Sequence, residues 1–167
     1  ETSALLVASE HRRSKAGSRA EMLWGDAAAA VAVGSDNVIA EVLGIETLAV
    51  DFVDHYRGDE ASFDYGWEER WIRDEGFMKS VPTAVIALFE KCSVSSEEID
   101  HFILPTDQAR TPIGLARKLG IDGDAVVDNQ ISNVGVTGAA QSILLLVKTL
   151  EQAKPGDLIL VTGFGQG

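Results

Sequence analysis

Cysteine is nearly absent from this sequence: Cys92 is the only one in 167 residues. A lone thiol excludes an internal disulfide and fits a reducing compartment such as the cytoplasm. Positive charge is scarce as well, with 14 Lys and Arg against 26 Asp and Glu and a net charge of −12. That balance argues against nucleic acid or an anionic membrane surface as the main partner. No hydrophobic run has the length and purity of a membrane span. With three histidines and one cysteine, no set of metal ligands stands out. What is plentiful is apolar residues, at 46%, enough to core one ordinary domain or a piece of a larger one. The chain opens on Glu1 rather than Met and enters the apolar stretch 4–8 at once. We read this as a chain cut inside a larger protein.

The last third organises the rest. A glycine-rich turn (Gly135, Gly138) precedes an apolar run over 141–153 with Ile143, Leu144, Leu146, Val147 and Leu150 three and four apart, the spacing of a helix. Thr137 is the expected N-cap, because its hydroxyl can accept an orphan N–H. Pro155 and Gly156 end the helix. Leu158 to Val161 is short and wholly apolar, which predicts a central strand covered on both faces. A second small-residue turn, Gly163 to Gly167, closes the chain. Upstream, Ala4–Ala8 predicts a buried strand and 11–21 an exposed basic loop. Residues 27–33 set alanine's helix propensity against Val31, Val33 and Gly34, and we read a tightly packed strand. Residues 38–52 predict one strand or two, broken at Gly44. Residues 54–67 suit a lid or connector. Residues 68–89 suit amphipathic helices jointed at Gly76 and Pro82. Ser95 or Ser96 caps a short turn. A strand at 102–104, a helix at 110–119 closed by Gly120, and a strand at 125–127 follow. This order of strands and helices calls for a mixed or parallel sheet with helices packed on it, an α/β chain.

Four stretches, taken in order, carry a family resemblance: ALLVASEHRRS (4–14), WGDAAAAVAV (24–33), WEERWIRDEGF with SVPTAVIALFEKCSVSSEEIDHFILP (67–105), and VGVTGAAQSILLLVKTLEQAKPGDLILVTGFGQG (134–167). The chain resembles the thiolase superfamily, specifically its ketoacyl-ACP synthase III and hydroxymethylglutaryl-CoA synthase branch, over essentially its whole length. The matched region starts after the family's nucleophilic cysteine. The resemblance therefore implies a partial thiolase-like layered fold, with residues 1–55 ending the first half and 56–167 forming a second half truncated at its end. It implies handling of acyl-CoA or acyl-carrier thioesters and a homo-oligomer or heteromeric thiolase-like partner. Coenzyme A would enter as part of the substrate, with no separate cofactor. Such condensation needs a thiolate, a base or donor such as His, and donors for the thioester oxyanion.

The same resemblance places candidate residues. The family's histidine slot falls on Pro105 or Thr106, neither of them a base, and Asp107 is the nearest polar substitute. The Gly-Asn-Thr turn reads Gly135, Val136, Thr137, with Asn133 as a nearby stand-in for the missing asparagine. Gly135, Gly138, Gly163 and Gly165 would line the thioester pocket by backbone, with Thr106, Val136 and Thr137 beside them, although close helix–strand packing would require the same glycines. Arg12 and Arg13, with His11, Lys15 and Arg19, form a basic loop suited to a coenzyme A phosphate or simply to solvent. Cys92 sits where the family has no catalytic residue, and His101 lies about four residues early on its strand, so both read as structural. Tyr56, Tyr65, Trp67 and Trp71 suit lid packing or an adenine stack.

Overall fold

The structure, a computed structural model, describes residues 3–165. Glu1, Thr2, Gln166 and Gly167, the ends of the first and last stretches read above, lie outside the described residues. Strand β1 (Ala4–Glu10) runs antiparallel to β2 (Ala27–Val33), from Ala4 opposite Val33 to Glu10 opposite Ala27. A short helix α1 (Arg19–Leu23) lies between them, capped by Ser18 where the sequence suggested only loop. The alanine run is therefore strand. Pairing along all seven residues of β1 outweighs alanine's helix propensity. Its small side chains also let helix α6 (Gln141–Leu150) approach β2 closely.

Burial of β1 is not observed. Leu5, Leu6 and Val7 are exposed, because β2 is the only strand beside it among the described residues. The expected strand at 38–52 is also absent. This segment is coil, with Val38, Ile39, Val42, Leu43 and Ile45 exposed. Apolar alternation does not make a strand unless a second backbone satisfies its N–H and C=O groups. Gly44 is a point of contact rather than a strand break, because a Cβ there would collide with Cys92 Sγ. Lys91 Nζ ties the coil down by donating to Ile45 O at 2.7 Å.

The connector contains a minimal hairpin, β3 (His55–Tyr56) and β4 (Tyr65–Gly66). Its rings form one cluster in which Tyr56, Tyr65 and Trp67 are mutual neighbours and Trp67 meets Trp71. Helix α2 (Glu69–Trp71) continues through a π turn, Ile72–Phe77, into α3 (Met78–Cys92). Gly76 is a joint, as expected, and lies in the wide π turn. A Cβ there would sit 2.9 Å from the Phe52 ring, so only glycine lets that ring approach. Pro82, the other expected joint, stays inside α3 without breaking it. Its missing N–H frees the carbonyl four residues back, Met78 O, and Lys118 Nζ donates to that carbonyl. Lys118→Met should therefore lower stability by about 1 kcal/mol, read as a lower urea midpoint with unchanged slope.

Strand β5 (Ile99–Ile103) pairs in parallel with β6 (Leu158–Val161), Ile103 standing opposite Val161. Val126 forms a single bridge to Phe102 on the other side, where a full strand was expected. The tight turn Gly123–Ala125 takes the first of the three expected strand residues. The central strand is thus β5, whose Phe102 and Ile103, like the following Leu104, are fully buried. β6 exposes Val161 and is not the doubly covered strand predicted. Helix α4 (Thr111–Leu119) ends at Gly120 with φ +78°, as expected. A capping box at Ser95 starts the turn that leads into β5. A one-turn helix α5 (Ile131–Val134) and the turn Gly138–Ala140 precede α6 (Gln141–Leu150). Phe77, Val81, Val85, Phe102, Leu104, Leu115 and Leu160 make up most of one core between α3, α4 and the β5–β6 pair.

Candidate thioester site

The candidate site lies where β5 and β6 both end. Because the two strands are parallel, their exits lie side by side. Thr162 N–H donates to Ile103 O at 2.9 Å, and its hydroxyl donates to the same oxygen at 2.7 Å. After β5 the chain cannot wander, because Asn129 clamps it. Asn129 Nδ2 donates to Leu104 O at 2.9 Å, and Thr106 N–H donates back to Asn129 Oδ1 at 3.1 Å. Gln141, buried at the head of α6, extends the clamp. Its Nε2 donates to Asn129 O at 3.0 Å, and its Oε1 accepts from Thr137 N–H at 3.1 Å. One polar chain therefore links Leu104 and Thr106 to the Gly135–Thr137 turn. All its members are half-buried or buried, where an unpaired amide is expensive.

The turn is anchored from its other side. Val136 N–H donates to Leu23 O at 2.7 Å, and Gly25 N–H donates to Val136 O at 3.0 Å. Gly135 has φ +75° and ψ −168°, a conformation open only to glycine, and a Cβ there would stand 2.6 Å from Leu23 O. Thr137 is not the N-cap expected. The turn Gly138–Ala140 separates it from α6, and its own φ of −103° and ψ of 21° are not the extended cap geometry. Its hydroxyl is fully buried and has no partner among the described residues. The second glycine turn closes on the same place. Ser142 Oγ, one residue into α6, donates to Thr162 O, and Gly163 lies beside that serine.

Thr106 thus occupies the β5 exit with its hydroxyl accepting from Gln108 N–H at 3.1 Å. Asp107 Oδ2 is paired with Arg19 Nη1 at 2.9 Å, a cation that also reaches Glu69. Asn133 is exposed on α5 and donates to Gln130 Oε1 at 2.8 Å. Of the basic loop, His11 pairs with Asp26 at 2.7 Å. Arg12 pairs with Glu10 at 3.4 Å and covers the Trp24 ring with its carbon 4.6 Å from the centroid. Arg13 is exposed. Arg12 also borders the turn, since its guanidinium would be 2.6 Å from a Cβ on Gly138. Glu10 accepts from Ala139 N–H at 3.2 Å in the same place. Cys92 is remote, at the end of α3 against Gly44. His101 pairs with Asp157 at the opposite, entry end of the β5–β6 pair, at 3.1 Å.

Sequence reasoning missed Asn129, Gln141 and the pair Asp54–His55. Gln141 carried a usable signal, as a polar residue heading an otherwise apolar helix. Asn129 and His55 sit in polar segments and carried none. His55 Nδ1 meets Asp54 Oδ1 at 2.9 Å. That hydrogen bond, against the opposing effect of burial, raises His55 above its ordinary 6.5. Burial alone would raise Asp54, but the bond and charge of His55 outweigh it and bring the carboxyl below 3.8. The pair therefore stabilises the fold fully between about pH 4 and 6.5. Its histidine part is lost as pH rises through the raised folded value, and its aspartate part as pH falls through the lowered one. With over a third of the His55 side chain exposed, screening keeps the contribution to no more than about 1 kcal/mol. Thermal melts from pH 5 to 9 should show a loss above neutrality that Asp54→Asn abolishes.

Comparison with known proteins shows what the chain is similar to. Residues 89–167 match the family described as 3-oxoacyl-[acyl-carrier-protein (ACP)] synthase III C terminal. The hydroxymethylglutaryl-CoA synthase of Aeropyrum pernix is 31% identical over 166 residues, 98% of this chain and 45% of the relative. That of Caldivirga maquilingensis is 27% identical over 164 residues, 98% of this chain and 47% of the relative. The crystal structure of 3-oxoacyl-[acyl-carrier-protein] synthase III from Aquifex aeolicus superposes with a TM-score of 0.71 at 26% identity, covering 86% of this chain and 46% of that one. The fold is a partial thiolase-like one. In sequence and structure the chain is similar to the carboxy-terminal portion of the ketoacyl-ACP synthase III and hydroxymethylglutaryl-CoA synthase branch. It spans about half the length of the relatives it matches. No helix among the described residues is long and apolar enough to cross a membrane.

Proposed function

We propose that this chain is the carboxy-terminal part of a hydroxymethylglutaryl-CoA synthase-like acyltransferase, acting in the cytoplasm on acyl-CoA thioesters by Claisen-type condensation. The observation that carries this reading is the Asn129–Gln141 chain, which holds the β5 exit and the Gly135–Thr137 turn as one site. Thr106, Gly135, Val136, Thr137, Gly163 and Gly165 border the thioester, and Arg12 and Arg13 lie toward the phosphates of coenzyme A. Asp107 and Asn133 are the polar groups nearest the slots where the family carries His and Asn. The nucleophile segment must come from elsewhere, so residues 1–167 alone should not condense anything. The protein at its natural length, given acetyl-CoA, should release free coenzyme A as a new carbon–carbon bond forms. Turnover unchanged in Asp107→Asn and Asn133→Ala would remove those two from catalysis. Absence of both acetyl-CoA binding and turnover would reject the reading.

A second reading, a non-catalytic thiolase-like subunit that holds a partner, draws on the exposed β1. Leu5, Leu6 and Val7 there are 57–68% exposed, more apolar strand surface than an isolated domain usually leaves wet. On either reading the chain by itself should self-associate, and a monomer by sedimentation at about 100 µM would contradict this.

A further inference from the structure

The rings of the connector form a ladder that climbs out of the core. Phe77, in the core, faces Phe164 with centroids 4.1 Å apart, and Phe164 faces Phe52 at 5.8 Å. Phe52 stacks on Trp71 at 4.5 Å, with the planes 15° apart. Trp71 meets Trp67 at 5.7 Å, and Trp67 meets Tyr65 edge-on at 6.1 Å and Tyr56 at 6.4 Å. The lower rungs are fixed by the core. The hairpin is pinned as well, because Trp67 N–H donates to Asp54 O at 3.0 Å. The upper rungs stay wet: Tyr56, Tyr65, Trp67 and Trp71 are 41–57% exposed. Large rings held side by side on a rigid mount, half in water, are what the centre of a protein interface is made of.

The charge around these rings selects the partner. Residues 51–75 carry nine carboxylates against three arginines, so this short segment holds −6 of the chain's net −12. Each arginine is already engaged, Arg57 with Asp64, Arg70 with Glu68 and Arg73 with Asp74. Asp51, Asp59 and Glu60 are exposed and have no paired cation among the described residues. The one cation that covers a ring among those residues is Arg12 on Trp24, so the faces of the cluster are open. Beside Trp71 lies a cleft of about 280 Å³ lined by Glu68, Arg70, Asp74 and Glu75. It has room for one long cationic side chain laid on the indole, with carboxylates around its head. A second copy of this acidic chain, or a nucleic acid, would be repelled at this face. We propose that the aromatic face of the 54–71 segment is a docking surface for a lysine- and arginine-rich segment of a partner protein. The rings hold its cations and their aliphatic stems, and the carboxylates speed encounter and exclude acidic competitors.

The natural-length protein is titrated with a fluorescently labelled peptide of alternating lysine and alanine, and binding is read by anisotropy. Wild type should bind it, more weakly as salt rises. A peptide of alternating glutamate and alanine should not bind. Trp67→Ala and Trp71→Ala should each weaken binding at least about 5-fold, while Trp71→Phe, which keeps a ring on Phe52, should lose less. Because these indoles also support the hairpin, the exposed pair Asp59→Lys with Glu60→Lys is the second variant. It should leave the melting temperature unchanged and weaken binding at least about 5-fold. No binding by wild type would overturn the proposal, since the face would then be idle or filled by the protein's own chain. Wild-type affinity in both alanine variants would reduce the effect to bulk charge and overturn docking on the rings. A dimer that Trp67→Ala turns into a monomer would overturn it too, because a second copy would then be the occupant. No readout here involves a thioester, so failure leaves the proposed function untouched.

Discussion

Replacing Asn129 by alanine is expected to lower stability by about 2–5 kcal/mol, a large share of what a domain of this size possesses. The side chain is not a core hydrophobe, so the effect comes from what it leaves behind. Leu104 O and Thr106 N–H lose their partners together, in a place where water reaches poorly. The damage should spread to Gln141, which donates to the Asn129 carbonyl and holds Thr137 with its other end. Gln141→Ala alone should cost a similar amount. The double variant should cost clearly less than the sum, because neighbours in one hydrogen-bonded chain do not add. Urea unfolding of the three variants measures this. Strict additivity would show that the β5 exit and the Gly135–Thr137 turn are held independently.

Gly135→Ala should be as severe, at about 3 kcal/mol or more, for a different reason. The residue combines φ +75° with ψ −168°, and an added methyl would press on Leu23 O and Gly25 N, at 2.6 and 2.9 Å. Those atoms belong to the bridge in which Leu23 and Gly25 hold Val136, so they cannot retreat without breaking two hydrogen bonds. The variant should therefore melt earlier and lose amide-exchange protection at Val136 and Gly25. Gly123→Ala, with nothing within 4 Å of its added methyl, is the matched control and should be nearly silent.

Much of the fold could be read from residue order, and the failures have a common cause. Helix α4 with its Gly120 stop, α6 with its run of leucines, and the strands β5 and β6 are local statements in which periodicity and caps decide the outcome. The stretch 38–52 and the burial of β1 are not local. Each needs a neighbouring backbone or an apolar surface that the described residues do not supply, so an apolar pattern went unanswered. Pro82 misled in the opposite direction: a lysine 36 positions later satisfies the carbonyl that it orphans. The glycine turns of the site were legible because strained backbone requires glycine. Asn129 was not, because hydrogen bonds to residues 12 or 23 positions away leave no period in the sequence, and Gln141 showed only as a polar residue heading an apolar helix.

The central claim is that the ends of β5 and β6 and the Gly135–Thr137 turn form one thioester site. Amide hydrogen exchange of the natural-length protein, with and without saturating acetyl-CoA, tests it most directly. The account predicts that acetyl-CoA slows exchange at 106–108, 135–139 and 163–165 together, with little change near Cys92 or His101. Protection confined to one of these segments, or appearing only elsewhere, would contradict it.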